Sequence, residues 1–297
     1  MSEEKSIDTL VEDIYSVVQG VTPLTAEEID KAVEEFKERV GDEFKNFLTQ
    51  TRGESKSRPE PRLSSMGVSC ARKHWYRAND LPLDQPFTAP TYIKFFYGHL
   101  LEQFLMVLVK LSGHSVSGEQ DEVSFQGVTG HRDGVVSGHT IDCKSAASHS
   151  FAKIQRGQIL DDPFLSQYVA QLWAYSASDG KRSGDPAILA IDKQLGKICL
   201  TKLPYRLEDI TKLRREFDER KEILQSDEIP ERGHEPVDHN KKKPNGNKVL
   251  PIQCSYCDYK KRCWPEAREF LYSSGPVYFT HVEKEPNVEE NLRTVKF

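Results

Sequence analysis

Gly130-His131-Arg132-Asp133-Gly134-Val135-Val136, closely followed by Ile141-Asp142-Cys143-Lys144, is the stretch on which the reading of this chain turns. One Asp sits beside a short apolar run. A second shares a strand with a Lys two residues on. Strand side chains alternate between faces, so Asp142 and Lys144 point one way and Cys143 the other. Two carboxylates and an ammonium converging on one point suit metal-assisted phosphodiester hydrolysis. The carboxylates hold a hard divalent cation, and the Lys orients or helps deprotonate the attacking water.

Outward from this stretch, apolar periodicity predicts a helix over 92–112 that carries Gly98, His99 and Glu102. Strands are expected at 114–118, 122–126, 129–136 and 139–144, a helix at 161–178, strands at 186–192 and 197–203, and a charged helix at 206–226. Residues 231–250 read as a loop, and 254–272 as a cysteine-rich segment with a short helix. This order implies an α/β fold with a mixed central β-sheet flanked by helices. Upstream, Thr25-Ala26-Glu27-Glu28 is a capping box, and Ile29, Val33, Phe36, Val40, Phe44 and Phe47 follow at helical spacing. Residues 51–63 are polar and Pro-containing, as in a linker. The chain is therefore divided into an acidic helical N-terminal arm and linker (1–63), a core (64–230), and a basic loop, cysteine segment and tail (231–297).

With 297 residues, 37% apolar and 29% charged, the chain suits a soluble protein with a sizeable core. Its longest apolar run, Phe104 to Val109, is too short to cross a membrane, so no membrane partner is expected. Met1-Ser2-Glu3-Glu4 shows no signal peptide, and a cytoplasmic location is expected. A net charge of −5 argues against indiscriminate coating of nucleic acid but leaves room for a local basic groove. The charge is segregated. Residues 1–50 hold 13 acids and 5 bases, whereas Asp238 to Cys263 holds 7 bases and 2 acids.

Four elements occur in a fixed order: Gly98-x-x-x-Glu102 on a helix, Asp133 in Gly-His-Arg-Asp-Gly, Asp142-Cys143-Lys144 on the next strand, and Gln171-x-x-x-Tyr175 on the following helix. Gln171 and Tyr175, four apart, share a helix face and can both contact phosphate. Taken singly, Asp133 reads as a turn residue, Asp142 and Lys144 as a solvated strand face, and Gln171 and Tyr175 as ordinary amphipathic positions. His131-Arg132-Asp133 also mimics a kinase catalytic loop, but no Asn follows at the required spacing and no Gly-rich loop precedes it.

In this order the motifs resemble those of the RecB-like branch of the PD-(D/E)XK nuclease superfamily, whose core is restriction-endonuclease-like. The resemblance implies Asp133 and Asp142 as ligands of Mg²⁺ or Mn²⁺, the Cys143 backbone carbonyl as a further ligand, Lys144 as the catalytic lysine, and Gln171 and Tyr175 as DNA contacts. The position that often holds a metal-binding His in that branch is open between Glu102 and His99. Glu102 is preferred, because a carboxylate suits Mg²⁺ better than imidazole does.

Six cysteines are present. Cys143 and Cys199 lie in apolar strand candidates and read as small core residues. Cys254-x-x-Cys257-x5-Cys263 needs a fourth partner, and Cys70 lies ahead of the core helix. One N-terminal Cys plus such a trio resembles the iron–sulfur members of the same branch, including AddB-type nucleases, CRISPR-adaptation exonucleases and related phage exonucleases. That resemblance implies a [4Fe-4S] cluster on Cys70, Cys254, Cys257 and Cys263. Structural zinc and free thiols are the competing readings. A cluster would join points 184 residues apart in sequence and be structural in role. Lys241, Lys242, Lys243, Lys260, Lys261 and Arg262 flank it, and Arg58, Arg62, Arg72 and Lys73 lie near Cys70. Together they would form a basic rim for DNA.

The expected activity is a metal-dependent DNA exonuclease that acts on single strands or ends in recombination, replication or DNA degradation. A spacer-processing nuclease working with an integrase and a catalytically idle DNA-binding protein of the same fold are the alternatives. Oligomerisation is open, and the acidic N-terminal arm is a candidate partner surface.

Overall fold

In a computed structural model, residues 4–50, 61–67, 70–79, 81, 83–84, 87–162, 164–178 and 184–291 are described. Most of the expected linker, including Arg58, lies outside them. In chain order the helices α1 (Leu10–Val18), α2 (Ala26–Gln50), α3 (Leu63–Met66), α4 (Ala71–Ala78) and α5 (Ala89–Leu111) come first. The strands β1 (Val116–Ser117), β2 (Glu122–Phe125), β3 (Val128–His131), β4 (Gly134–Val136) and β5 (His139–Ala146) follow. Next come α6 (Ser148–Gln155), α7 (Ser166–Ser178), β6 (Gly184–Asp192), β7 (Ile198–Lys202) and α8 (Leu207–Gln225). The remainder is β8 (Val237–Asp238), β9 (Lys248–Val249), α9 (Ile252–Ser255), α10 (Lys260–Cys263), β10 (Arg268–Tyr272) and β11 (Gly275–His281).

These elements fall into two compact units. The first comprises the described residues of 4–50, 61–67 and 87–219; the second comprises those between 70 and 84 and from 220 to 291. The boundaries differ from the expected three-way division. Residues 4–50 belong to the same unit as the central sheet, because α1 buries Leu10 and Ile14 completely in its core. α2 is fastened as well. Lys110 of α5 pairs with Glu35 at 2.6 Å, and Arg39 reaches Gln103 at 2.9 Å and Glu119 at 2.8 Å. The acids of α2 are thus partly spent on internal pairs.

The first unit holds a five-stranded mixed sheet in the order β1-β4-β5-β6-β7. β5 and β6 are parallel and the other pairs antiparallel. β6 lies between β5 and β7, and Ala187 to Ile191 are all buried, the unbroken apolar run expected of a strand covered on both faces. On one face Ile141, Cys143, Ala187 and Leu189 pack against Leu10 and Ile14 of α1 and Leu105, Met106 and Val109 of α5. On the other, Ala146, Ile188 and Ala190 pack against Phe151 and Ile154 of α6 and Val169 and Leu172 of α7.

A tight turn sets the register of the hairpin. Ser137 and Gly138 both have positive φ (45° and 77°), the conformation of a two-residue turn that matches strand twist. It pairs Val136 with His139, Val135 with Thr140 and Gly134 with Ile141. Asp133 and Asp142 are the next residues beyond the last of these pairs.

The second unit contains an antiparallel sheet, β10-β11-β9-β8, whose core is Val249, Phe270 and Phe279. The β10–β11 hairpin, α1 and α6 have no counterpart among the expected elements. Among the described residues, no helix is long and apolar enough to cross a membrane.

A candidate carboxylate–lysine site and a cysteine cavity

The hairpin register brings the first site together. Asp142 is completely buried and Cys143 is buried on the opposite face against Met106, as strand alternation requires. Lys144 shares the Asp142 face, with its Nζ 2.6 Å from Asp142 Oδ2 and 4.9 Å from the centre of the Tyr168 ring. Beyond Gly134 the ladder stops, and Asp133 Oδ2 takes the place of a strand partner by accepting the Cys143 N–H at 2.6 Å. A strand residue's N–H and C=O leave the same edge. The Cys143 carbonyl therefore faces the edge on which Asp133 lies.

Glu102 enters from α5. Its Oε1 accepts from Gln120 Nε2 at 3.1 Å. Gln120 is held by backbone bonding to Arg132, and the buried Arg132 clamps the same loop through Gly118 O and Asp121. Three carboxyls and one ammonium consequently share one electrostatic neighbourhood. Burial pushes Glu102 up to about 7, with Asp142 and Glu43 adding to the shift and Lys144 opposing it. Burial likewise pushes Asp133 well above the usual carboxylate range, reinforced by Asp142 and Glu102. Asp142 is raised by burial against the pull of Lys144. Burial works against the Lys144 ammonium, but Asp142 and Asp133 more than offset it, so its pKa is raised.

Gln171 and Tyr175 share a face of α7, as their spacing predicts, but both are buried. Gln171 Nε2 donates to Tyr175 Oη at 3.0 Å and lies 3.4 Å from Asp142 Oδ1. They brace the carboxylate in this structure instead of facing solvent as phosphate contacts. Tyr175 packs at Gly130, where an added Cβ would lie 3.1 Å from the ring and 2.9 Å from Leu63 Cβ. His99 is separated from this group: its side chain is exposed, with Nδ1 4.0 Å from Glu43 Oε2. The structure thus puts Glu102, and not His99, beside the two Asp residues. Glu43, Gln120 and Tyr168 were not among the expected site residues. They come from distant segments, and no local motif marks them.

The second site lies wholly in the second unit. Cys70, Cys254, Cys257 and Cys263 are free thiols that line a single cavity with Arg72, Arg232 and Lys260. Burial pushes Cys254 up to about 12, and Cys257, Cys70 and Cys263 add to the shift. Arg72 donates to Cys263 Sγ at 3.8 Å. Gly233 lies against Cys70, and a Cβ there would come within 3.0 Å of its Sγ. Cys143 and Cys199 belong to the two cores on either face of the first unit's sheet and are not among the residues lining this cavity. Four thiols ringed by cations are the donor set of a group that carries negative charge once ligated, and the residues fit an iron–sulfur cluster or a Cys₄ metal. As the side chains stand, no three His, Cys, Asp or Glu among the described residues are gathered closely enough to hold a single metal ion.

Of the basic positions, Lys241, Lys242 and Lys243 are exposed, and the Asn240 side chain accepts from the backbone of the latter two. Lys260, Lys261 and Arg262 are the first three residues of α10, with the Lys260 ammonium 5.1 Å from the Tyr278 ring. Asp84 accepts the Lys261 and Arg262 N–H groups and so caps that short helix.

No family model matches the chain, and no curated protein does. Among solved structures, the chain aligns with the crystal structure of SSO0001 at 15% identity and a TM-score of 0.43, over 75% of this chain and 95% of that one.

Proposed function

We propose that this chain is a metal-dependent DNA exonuclease with a PD-(D/E)XK core and a [4Fe-4S] cluster in its second unit. The observation that carries the reading is the convergence of Asp133, Asp142, Glu102 and Lys144. Asp142 is buried and Asp133 and Glu102 are half-buried, and burial together with their mutual repulsion raises all three carboxyls. That is the electrostatic condition of an oxygen-ligand site for a hard divalent ion.

Asp133, Asp142 and Glu102 would hold Mg²⁺ or Mn²⁺, with the Cys143 carbonyl on the adjoining edge. Such an ion supplies Lewis acidity at the phosphate and acidifies bound water. The chain's own residues do the rest. Lys144, whose ammonium is favoured by Asp142 and Asp133, offers positive charge to the phosphate oxygens as charge develops on them. Gln171 and Tyr175 fix the Asp142 rotamer through their mutual hydrogen bond. Action on single strands or ends follows from the likeness to iron–sulfur members of the RecB-like branch. In the second unit, the four cysteines would bind the cluster, whose ligation stabilises the fold.

Digestion of end-labelled single- and double-stranded DNA with Mg²⁺ or Mn²⁺ tests the reading. Wild type is expected to release short products, and Asp142→Ala and Lys144→Ala to release none. Cleavage by both variants at the wild-type rate would refute the site.

A further inference from the structure

A pocket opens where α2 and α5 pack together, and the hydrolytic site does not account for it. One wall is Phe47 and Phe96, with ring centroids 5.0 Å apart. The other is built on Phe87, whose ring meets Tyr92 and Phe95 nearly edge-on at 6.0 and 5.5 Å. Phe95 is 50% exposed and Phe87 38%, an unusual outlay of aromatic surface at one spot of a chain this polar. The polar groups between the walls are the Asn46 amide, the Glu43 carboxylate and the His99 imidazole, and among the described residues the lining includes no Lys or Arg.

The composition decides what fits. Among the described residues Glu43 has no Lys or Arg beside it in this pocket, and a bare carboxylate repels a phosphate. Flat aromatic faces with an amide, a carboxylate and an imidazole at their edge suit a flat heteroaromatic ring that carries both donors and acceptors, as an unstacked nucleobase does. Its placement is equally specific. His99 and Glu102 are three residues apart on α5, about 4.5 Å along the helix axis. Glu43, on the pocket's polar side, also acts electrostatically on Glu102. A base in this pocket would therefore lie close to the nucleotide whose phosphate reaches the carboxylates.

We propose that the α2–α5 pocket receives an unstacked base of the DNA strand whose backbone passes Asp133, Asp142 and Lys144. The proposal rests on the nuclease reading and assigns its action on single strands to a site of this chain, because a paired base cannot leave its stack to enter.

Fluorescence anisotropy with a labelled 12-nucleotide single strand in EDTA tests the pocket apart from cleavage. Phe95→Ala is expected to weaken binding about tenfold, and Phe95→Trp to restore it, since one stacked base is worth about that much. A strand made abasic throughout should bind wild type and Phe95→Ala alike. Equal affinity of wild type and Phe95→Ala for the intact strand would overturn the proposal. So would a wild-type dimer that Phe95→Ala turns into a monomer with no change in DNA affinity, since the aromatic face would then serve a second copy. If wild type binds through Phe95 but cuts nothing with Mg²⁺ or Mn²⁺, the nuclease reading fails and the base pocket stands.

Discussion

Lys144 Nζ sits 2.6 Å from Asp142 Oδ2 on a strand face where the carboxylate is completely buried. Neither group is tolerable there alone. Breaking such a pair by removing one partner costs about 3 kcal/mol, because the other charge is stranded. Lys144→Met should therefore lower stability by about that amount at pH 8. It should recover part of the loss as the pH falls and Asp142 takes up a proton. Lys144→Met/Asp142→Asn removes both charges and should be close to wild type in stability while remaining inactive. Urea titrations of the three proteins at pH 6 and pH 8 measure this. A Lys144→Met protein as stable as wild type at pH 8 would mean that the pair is solvated.

The raised carboxyls also predict how stability responds to pH without a divalent ion. Burial, Asp142 and Glu43 bring Glu102 up to about 7, above the ordinary glutamate value of 4.5. The folded state therefore holds a proton that the unfolded state releases, and stability should fall as the pH rises between those two values. Asp162 has the opposite sign in a different window. Burial raises it, but the Lys153 ammonium and the Phe164 and Leu165 N–H groups outweigh that and hold its pKa below the usual value. Its contribution is full above the usual Asp range and is lost only in stronger acid. In EDTA, thermal unfolding should give a higher midpoint at pH 5.5 than at pH 8, with a flatter slope in Glu102→Gln. Excess Mn²⁺ should raise the pH 8 midpoint most. A midpoint that rises from pH 5.5 to 8 in EDTA would contradict the burial of these groups.

How much of this was legible in sequence depends on how local each feature is. Asp133, Asp142 and Lys144 lie within twelve residues of one hairpin, and strand alternation alone puts Asp142 and Lys144 on one face and Cys143 on the other. The Thr25 capping box is equally local, and Thr25 N does donate to Glu28 Oε2 at 2.8 Å. The spacing of Gln171 and Tyr175 shows that they share a face, but not that the face is buried, because burial depends on Asp142 arriving from another element. Glu43, Gln120 and Tyr168 join the site only through tertiary packing. α1 is nine residues long and takes its stability from Leu10 and Ile14 in the sheet core, so its own pattern is a weak signal. The β10–β11 hairpin begins inside the stretch read as the cysteine segment, and its turn residues, Ser273 and Ser274, lack the Asn-Gly signature of a hairpin.

His114 invites a catalytic reading that its surroundings argue against. Its Nε2 lies 3.0 Å from Asp13 Oδ2 and its Nδ1 2.9 Å from Ser137 Oγ, an order of Asp, His and Ser familiar from hydrolases. The imidazole is wholly enclosed, so no substrate reaches it. It fastens α1 to the turn between β4 and β5. His114→Phe keeps the volume and removes both bonds, at an expected cost of about 2 kcal/mol. The unfolding midpoint should drop by about 6 °C, with unchanged cleavage per folded molecule at 20 °C or below. Loss of cleavage from a protein still folded at that temperature would make the relay catalytic.

The cysteine cavity predicts a metal content that depends on four residues and on no others. Protein purified without oxygen should carry iron and acid-labile sulfide in equal amounts. Cys70→Ala, Cys254→Ala, Cys257→Ala and Cys263→Ala should each lose most of both. Cys199→Ala should keep them, because Cys199 packs in the sheet core with Ile188 and Ala190. The loss should appear in stability too. Ligation free energy is folding free energy, so the second unit, with its small core around Val249, Phe270 and Phe279, should become protease-sensitive in the depleted variants. Zinc without sulfide in the wild type would replace the cluster with a Cys₄ site on the same residues. Equal iron in Cys257→Ala and wild type would remove Cys257 from the ligand set.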